Sequence, residues 1–140
     1  FEGYVSIVDN EAEYGGGICL LDRCECWFND TNGYMPLITL NRADLDGGGA
    51  YIKDDGTRLT LRNTYVGYPL AGNESLRDIG NGGGGGIAVV DDAELLARNV
   101  HFEANRCARA GGGLYVYNAT ASIDSDLPAP PGWTVSVVRG

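Results

Sequence analysis

Two pairs of adjacent carboxylates are the residues of this 140-residue chain best suited by type and spacing to acid–base chemistry. They are Asp54-Asp55 and Asp91-Asp92, and each pair follows a short apolar segment. Inverting glycosidases hold two carboxyl groups about 6.5–9.5 Å apart across the sugar. The chain lacks the Gly-His-Gly and basic motifs that would complete a site for an acidic sugar. We therefore interpret each pair as a turn aspartate beside a solvated one, and we predict no catalytic residue and no enzymatic activity.

Calcium is a second chemistry that carboxylates could support. The weak candidates are Asp22, Asp54 and Asp91, which follow apolar segments at equivalent places and would lie along one edge of a repeated structure. Exposed carboxylates at such a spacing are also tolerated in water, and we predict no cofactor. The single histidine, His101, is interpreted as a solvated or hydrogen-bonded surface side chain.

The four cysteines allow two disulfides with three possible connectivities. A local bridge from Cys19 to Cys24 or Cys26 is favoured, while Cys107 lies far along the sequence. Zinc is disfavoured because the chain has one histidine and no Cys-x-x-Cys pair.

Three Asn-x-Ser/Thr sequons indicate N-glycosylation and hence secretion. Their acceptor residues are Asn29, Asn73 and Asn118. Each falls where a turn or loop is expected, so all three are predicted to be exposed.

The elements that position these residues repeat along the chain. Glycine blocks end at Gly17, Gly49, Gly86 and Gly113, at spacings of 32, 37 and 27 residues. A repeat of this period predicts a stacked solenoid. Each block is followed by an alternating segment whose first and third residues are aliphatic and whose fifth is Asp or Asn. We predict that the aliphatic pairs line an interior, that the second and fourth residues face outward, and that the fifth turns the chain in a left-handed conformation. The outward tyrosines, Tyr51, Tyr115 and Tyr117, are interpreted mainly as a structural ladder and secondarily as a sugar-stacking surface.

A second element precedes the glycines. Asn41 and Asn105 each lie six residues before a block, Asn10 lies five before one, and Asp78 takes the same place in the third repeat. The unit FEAN at 102–105, followed by GGGLYV, resembles the repeat of polymorphic outer-membrane proteins, which pairs Phe-x-x-Asn with Gly-Gly-small-aliphatic. That resemblance implies a right-handed parallel β-helix at a cell surface, and it implies an adhesin role. The fold class is therefore predicted as all-β, a short right-handed parallel β-helix of about four coils.

The net charge of the chain limits the classes of molecule that it could bind. The net charge is −9 with a pI near 4.4, which argues against nucleic acid or anionic membranes as partners. No segment approaches the roughly 18 apolar residues of a membrane span, so membrane insertion is not expected. We predict a secreted protein that is extracellular or on the cell surface.

The domain prediction is a solenoid over residues 1–126 with an inserted loop at 65–80, then a proline-rich arm and terminal strand at 127–140. Both termini read as bare strands, so we predict head-to-tail self-assembly in which the C-terminal strand adds to a neighbouring subunit. The predicted assembly residues are Phe1, Tyr4, Val5, Trp133, Val135 and Val137. The favoured function is a non-enzymatic extracellular structural module that forms a filament or coat. A glycan-binding surface adhesin is the alternative, and a polysaccharide lyase or hydrolase fragment is a more remote one.

Overall fold

The structure is a computed structural model that describes residues 5–29, 33, 35–76, 82–124 and, for the backbone alone, 137–139. Within these ranges the chain forms fifteen short β-strands and no helix. The strands are β1 (Ser6–Val8), β2 (Glu11–Ala12), β3 (Ile18–Leu20), β4 (Glu25–Asn29), β5 (Leu37–Thr39), β6 (Arg42–Ala43), β7 (Ala50–Lys53), β8 (Arg58–Val66), β9 (Glu74–Ser75), β10 (Ile87–Val90), β11 (Glu94–Phe102), β12 (Arg106–Cys107), β13 (Leu114–Tyr117), β14 (Thr120–Asp124) and β15 (Val137–Arg139).

These strands form three sheets in which every pairing is parallel. Sheet 1 has the order β1-β5-β8-β11-β14, with β4 also paired to β8. Sheet 2 has the order β2-β6-β9-β12, and sheet 3 the order β3-β7-β10-β13-β15. From β1 to β14 the chain visits sheets 1, 2 and 3 in turn and then returns to sheet 1, where β4 and β5 follow each other. The prediction of an all-β fold of stacked parallel strands is confirmed, and the arrangement is compatible with a parallel β-helix.

The glycine-led segments form sheet 3 in the predicted register. Its first four strands each begin at the residue after a glycine block. Ile52 pairs with Val89, and Val89 with Val116, so the third positions of successive strands form one inward column. Ile52 and Val89 are fully buried, and so is the neighbouring first-position residue Ile87. Burying such a side chain contributes about 1.5–3 kcal/mol, which makes these columns the main stabilising element of the fold.

The corner after each sheet 3 strand confirms the prediction of left-handed turn residues. Asp22, Asp54, Asp91 and Asn118 have φ values of 55°, 79°, 51° and 47°. Short polar side chains tolerate this conformation because they bond to nearby backbone. The repeated Asp or Asn is therefore a device for turning the chain from sheet 3 into sheet 1.

Of the loop predicted over residues 65–80, residues 67–73 lie outside the strands, but the segments on both sides of them belong to sheets. Tyr65 and Val66 end β8 within sheet 1, and Glu74–Ser75 form β9 within sheet 2. Residues 77–80 lie outside the described part of the chain. The prediction made the loop too long because Pro69 and Gly72 are typical of turns. A tight turn between two sheets has the same composition as a long loop that projects from the fold.

Candidate functional site

A ladder of four asparagines connects successive layers of the stacked parallel strands. They are Asn10, Asn41, Asn73 and Asn105. Each side-chain amide donates to the Oδ1 of the next, with Nδ2–Oδ1 distances of 2.9, 3.0 and 2.8 Å. Each backbone N–H also donates to that same Oδ1, at 3.0–3.1 Å. Every internal Oδ1 therefore accepts two hydrogen bonds from the coil before it.

The amides also reach back to sheet 1. Nδ2 of Asn41 donates to the carbonyl of Ile7 at 2.9 Å, and Nδ2 of Asn73 donates to the carbonyl of Ile38 at 2.9 Å. The third such bond joins Asn105 to Val66 at 2.7 Å. Asn41 and Asn73 are buried, with 1% and 0% of their surface exposed. Buried amides are stable only when their donors and acceptors are satisfied, and here one side chain links three coils.

The glycine blocks make room for this ladder. A Cβ atom on Gly49 would lie 2.6 Å from the carbonyl oxygen of Gly86 and 3.0 Å from the Nδ2 of Asn73. Gly86 is equally close to Asn105 and to the carbonyl of Gly113. Gly49 and Gly86 are therefore required because neighbouring backbones and the ladder approach too closely there for any side chain.

The ladder has a direction, and its two ends differ chemically. Among the described residues, the Oδ1 of Asn10 accepts no hydrogen bond. At the other end, the backbone N–H of Asn105 has no acceptor in the part of the chain that the structure describes. Within the described residues, the ladder therefore runs from an acceptor at Asn10 to a donor at Asn105.

Charges alternate along the outer face of sheet 2. The register places Glu11, Arg42, Glu74 and Arg106 in one column. Nη1 of Arg42 lies 3.4 Å from Oε1 of Glu11, and both side chains are largely exposed. Exposed pairs of this kind contribute about 0.2–1 kcal/mol. The column begins with an acid at one end of the stack and ends with a base at the other.

A second charged column lies on sheet 1. Nε of Arg58 lies 2.6 Å from Oε2 of Glu94, and its Nη1 lies 3.5 Å from Oε1 of Glu25. The hydrogen bond and charge of Glu94 raise the pKa of Arg58. This column again alternates in sign from coil to coil, which favours the observed stacking register over a shifted one.

The outer face of sheet 3 is not the exposed tyrosine surface that the sequence suggested. Tyr51, Ala88, Val90 and Tyr115 are buried there and form a second apolar cluster. The ring of Tyr14 packs on that of Tyr51, with centroids 4.9 Å apart. Burial, and then the charges of nearby carboxylates, raise the pKa of Tyr51. Tyr117 is the exposed member of the predicted set, so the structural interpretation of these tyrosines is favoured over sugar stacking.

The three sequons differ in accessibility. Asn118 is exposed at its corner, and Asn29 is half-buried at the end of β4. Asn73 is fully buried within the ladder, so the prediction that it is exposed is wrong. Its identity as an Asn-x-Ser sequon is a by-product of the ladder asparagine and of Ser75, which is itself buried.

Within the described residues, the carboxylates that the sequence suggested for catalysis or calcium binding do not form one group. In the described ranges, no three His, Cys, Asp or Glu side chains are grouped so that they could hold a metal ion. Of the weak calcium candidates, Asp91 lies 3.6 Å from Nζ of Lys53. His101 lies on the outer face of sheet 1 and stacks on Tyr65, with ring centroids 4.7 Å apart.

The cysteines are all free, so the predicted bridge from Cys19 to Cys24 or Cys26 is wrong. Cys19 is exposed on the outer face of sheet 3, whereas Cys26 packs against the core from sheet 1. Burial raises the pKa of both the Cys19 and Cys26 thiols, which lowers their reactivity.

The predicted assembly strand lies on its own chain. Val137 belongs to β15, which pairs with β13 of the same molecule. Addition of this strand to a neighbouring subunit stays a prediction. Val5 is half-buried against the chain's own core, and its carbonyl accepts from the N–H of Leu37 at 2.9 Å. The other predicted assembly residues, Phe1, Tyr4, Trp133 and Val135, lie outside the described part of the chain.

No protein-family model, curated protein or solved structure matches this chain. The resemblance to the polymorphic outer-membrane repeat therefore stays a prediction from the quoted residues. Within the described ranges, no helix is long and apolar enough to cross a membrane.

Proposed function

We propose that this chain is a non-enzymatic, extracellular structural module that associates end to end with copies of itself. Its fold is a short right-handed parallel β-helix of about four coils. The observation that carries the proposal is the direction of the asparagine ladder, whose acceptor end at Asn10 and donor end at Asn105 are complementary.

The ladder supports a head-to-tail contact in particular. In each internal step, a backbone N–H and an Nδ2 donate to the Oδ1 of the following asparagine. The N–H of Asn105 would make the same bond to the Oδ1 of Asn10 in a second copy. Head-to-tail contacts of this kind propagate into filaments because the two surfaces are different and do not close on themselves.

The charged column of sheet 2 supports the same direction. Stacking the N-terminal coil of one copy on the C-terminal coil of another would bring Glu11 next to Arg106. The alternation of acid and base would then continue across the junction. A head-to-head contact would instead place Glu11 opposite Glu11, and opposed like charges are destabilising.

Location outside the cell is supported by composition and by one sequon. The acidic surface, with net charge −9, suits a soluble coat or filament more than a nucleic-acid partner. Asn118 is exposed at a left-handed corner, where an attached glycan would not disturb the sheets.

Charge reversal at the two ends tests the head-to-tail contact. We expect Arg106→Glu and Glu11→Arg each to weaken association by about fivefold to tenfold, because like charges then meet at the junction. An equimolar mixture should restore it, since each variant's C-terminal end then meets an opposite charge. Sedimentation velocity over a concentration series measures association, and negative-stain microscopy shows whether the product is a filament.

Arg62→Glu is the matched control for Arg106→Glu, because it changes the net charge by the same amount at an exposed position in the middle of the stack. It should leave association unchanged. A strictly monomeric chain at every concentration, or single variants that associate as well as the intact chain, would contradict the proposal.

The adhesin alternative stays a prediction. It depended on the resemblance to the polymorphic outer-membrane repeat and on an outward row of tyrosines, of which Tyr51 and Tyr115 are buried. A lone exposed ring at Tyr117 is a weak platform for a sugar, so the structural module is the better supported function.

A further inference from the structure

Strand β15 occupies the place that the next coil of the stack would take. It pairs in parallel with β13, with Leu114 opposite Val137 and Val116 opposite Arg139. Strand β3 stands in the same relation to β7, with Ile18 opposite Ala50 and Leu20 opposite Ile52. In a head-to-tail contact, β3 of the second copy would therefore need the edge of β13 that β15 holds.

The residues of β15 match the pattern of the sheet 3 strands less closely than the residues of β3 do. The third position of each sheet 3 strand is an inward column of Leu20, Ile52, Val89 and Val116. In β15 the same register position is taken by Arg139. The sequence of β15 thus has a charged residue at the register position where the other sheet 3 strands have an aliphatic one. Strand β3 of a second copy would instead place Leu20 there and continue the aliphatic column.

We infer that the edge of β13 is a binding surface for β3 of a second copy, and that β15 competes for it within the chain. This inference rests on the proposed function, and it names the strand that controls the contact. Sheet 2 ends at β12 among the described residues, so the donor at Asn105 and the charge of Arg106 lie at the same end. Release of β15 would expose the edge of β13, which would then form one continuous surface with Asn105 and Arg106.

Proline substitution tests this competition in the full chain. Val137→Pro together with Val138→Pro removes two N–H donors from β15 and should release it, since proline cannot take part in a ladder. We expect the concentration needed for association to fall by about tenfold or more, because the binding-competent fraction rises. Sedimentation velocity gives that concentration, and Ala129→Pro, which adds a proline outside β15, is the control.

A second variant should shift the concentration needed for association in the opposite direction, and it does not require the release of β15. Arg139→Leu gives β15 an aliphatic residue at the register position that is aliphatic in the other sheet 3 strands, so it should strengthen the pairing of β15 with β13 and raise the concentration needed for association. Opposite shifts in the two variants are the expected result.

The outcomes separate this inference from the proposed function. If all variants associate as the intact chain does, head-to-tail association stands and the competition is refuted. If the proline variant associates less well, β15 is donated between copies and the inference is overturned. If nothing associates at any concentration, both the inference and the proposed function fail.

Discussion

Replacing Asn73 with leucine should lower the free energy of unfolding by about 3–6 kcal/mol. The substitution leaves the N–H and Nδ2 of Asn41, and the carbonyl of Ile38, without their partners. Each buried polar group left unsatisfied costs about 1–3 kcal/mol. Because small domains are stable by only about 5–15 kcal/mol, the variant should be close to unfolding. Urea denaturation followed by circular dichroism measures the loss.

Asn10→Leu is the matched control, because it makes the same change at the exposed end of the ladder. It removes donors to Val8 and Asn41 and should cost about 1 kcal/mol. Equal losses in the two variants would show that the ladder is not continuous through the interior.

Replacing Val89 with aspartate should unfold the stack at neutral pH. Val89 is fully buried between Ile52 and Val116, and no lysine or arginine is buried among the described residues. An unpaired carboxylate in such surroundings costs several kcal/mol or forces protonation. Thermal melting followed by circular dichroism should show no cooperative transition.

Tyr117→Asp is the control for this substitution. Tyr117 lies on sheet 3 as well, but on the outer face, and 42% of its surface is exposed. A small loss of stability is expected there. If both variants melt alike, the inward and outward faces of sheet 3 have been assigned the wrong way round.

The strands of sheet 3 were predictable because their signal is local. A glycine block, alternation over four residues and a terminal Asp or Asn all lie within about ten residues, and each has one physical reason. The inward columns at Ile52 and Val89 follow directly from that alternation.

The third ladder residue was not predictable from its distance to the next glycine block. Asn73 lies 11 residues before Gly84, whereas Asn41 lies only six before Gly47. Counting back six residues finds Asp78, which lies outside the described part of the chain. The ladder is a long-range feature that tolerates insertion, so its partner is identified by hydrogen bonding and not by position. A recurrence of about 32 residues between asparagines was the signal that could have revealed it.

The outer apolar cluster and the position of β15 could not be read from alternation. Alternation assigns Tyr51 and Ala88 to the outer face but says nothing about whether another segment covers that face. For β15, the sequence showed a strand former without showing whose edge it joins, since the same backbone edge accepts a strand from either source.

Hydrogen exchange of the side-chain amides tests the central claim, a buried asparagine ladder that joins the coils. In NMR spectra, the Nδ2 protons of Asn41 and Asn73 should exchange about a thousandfold more slowly than those of exposed Asn118, because they open only when the stack unfolds. Exchange at similar rates for all three asparagines would contradict the ladder and the account built on it.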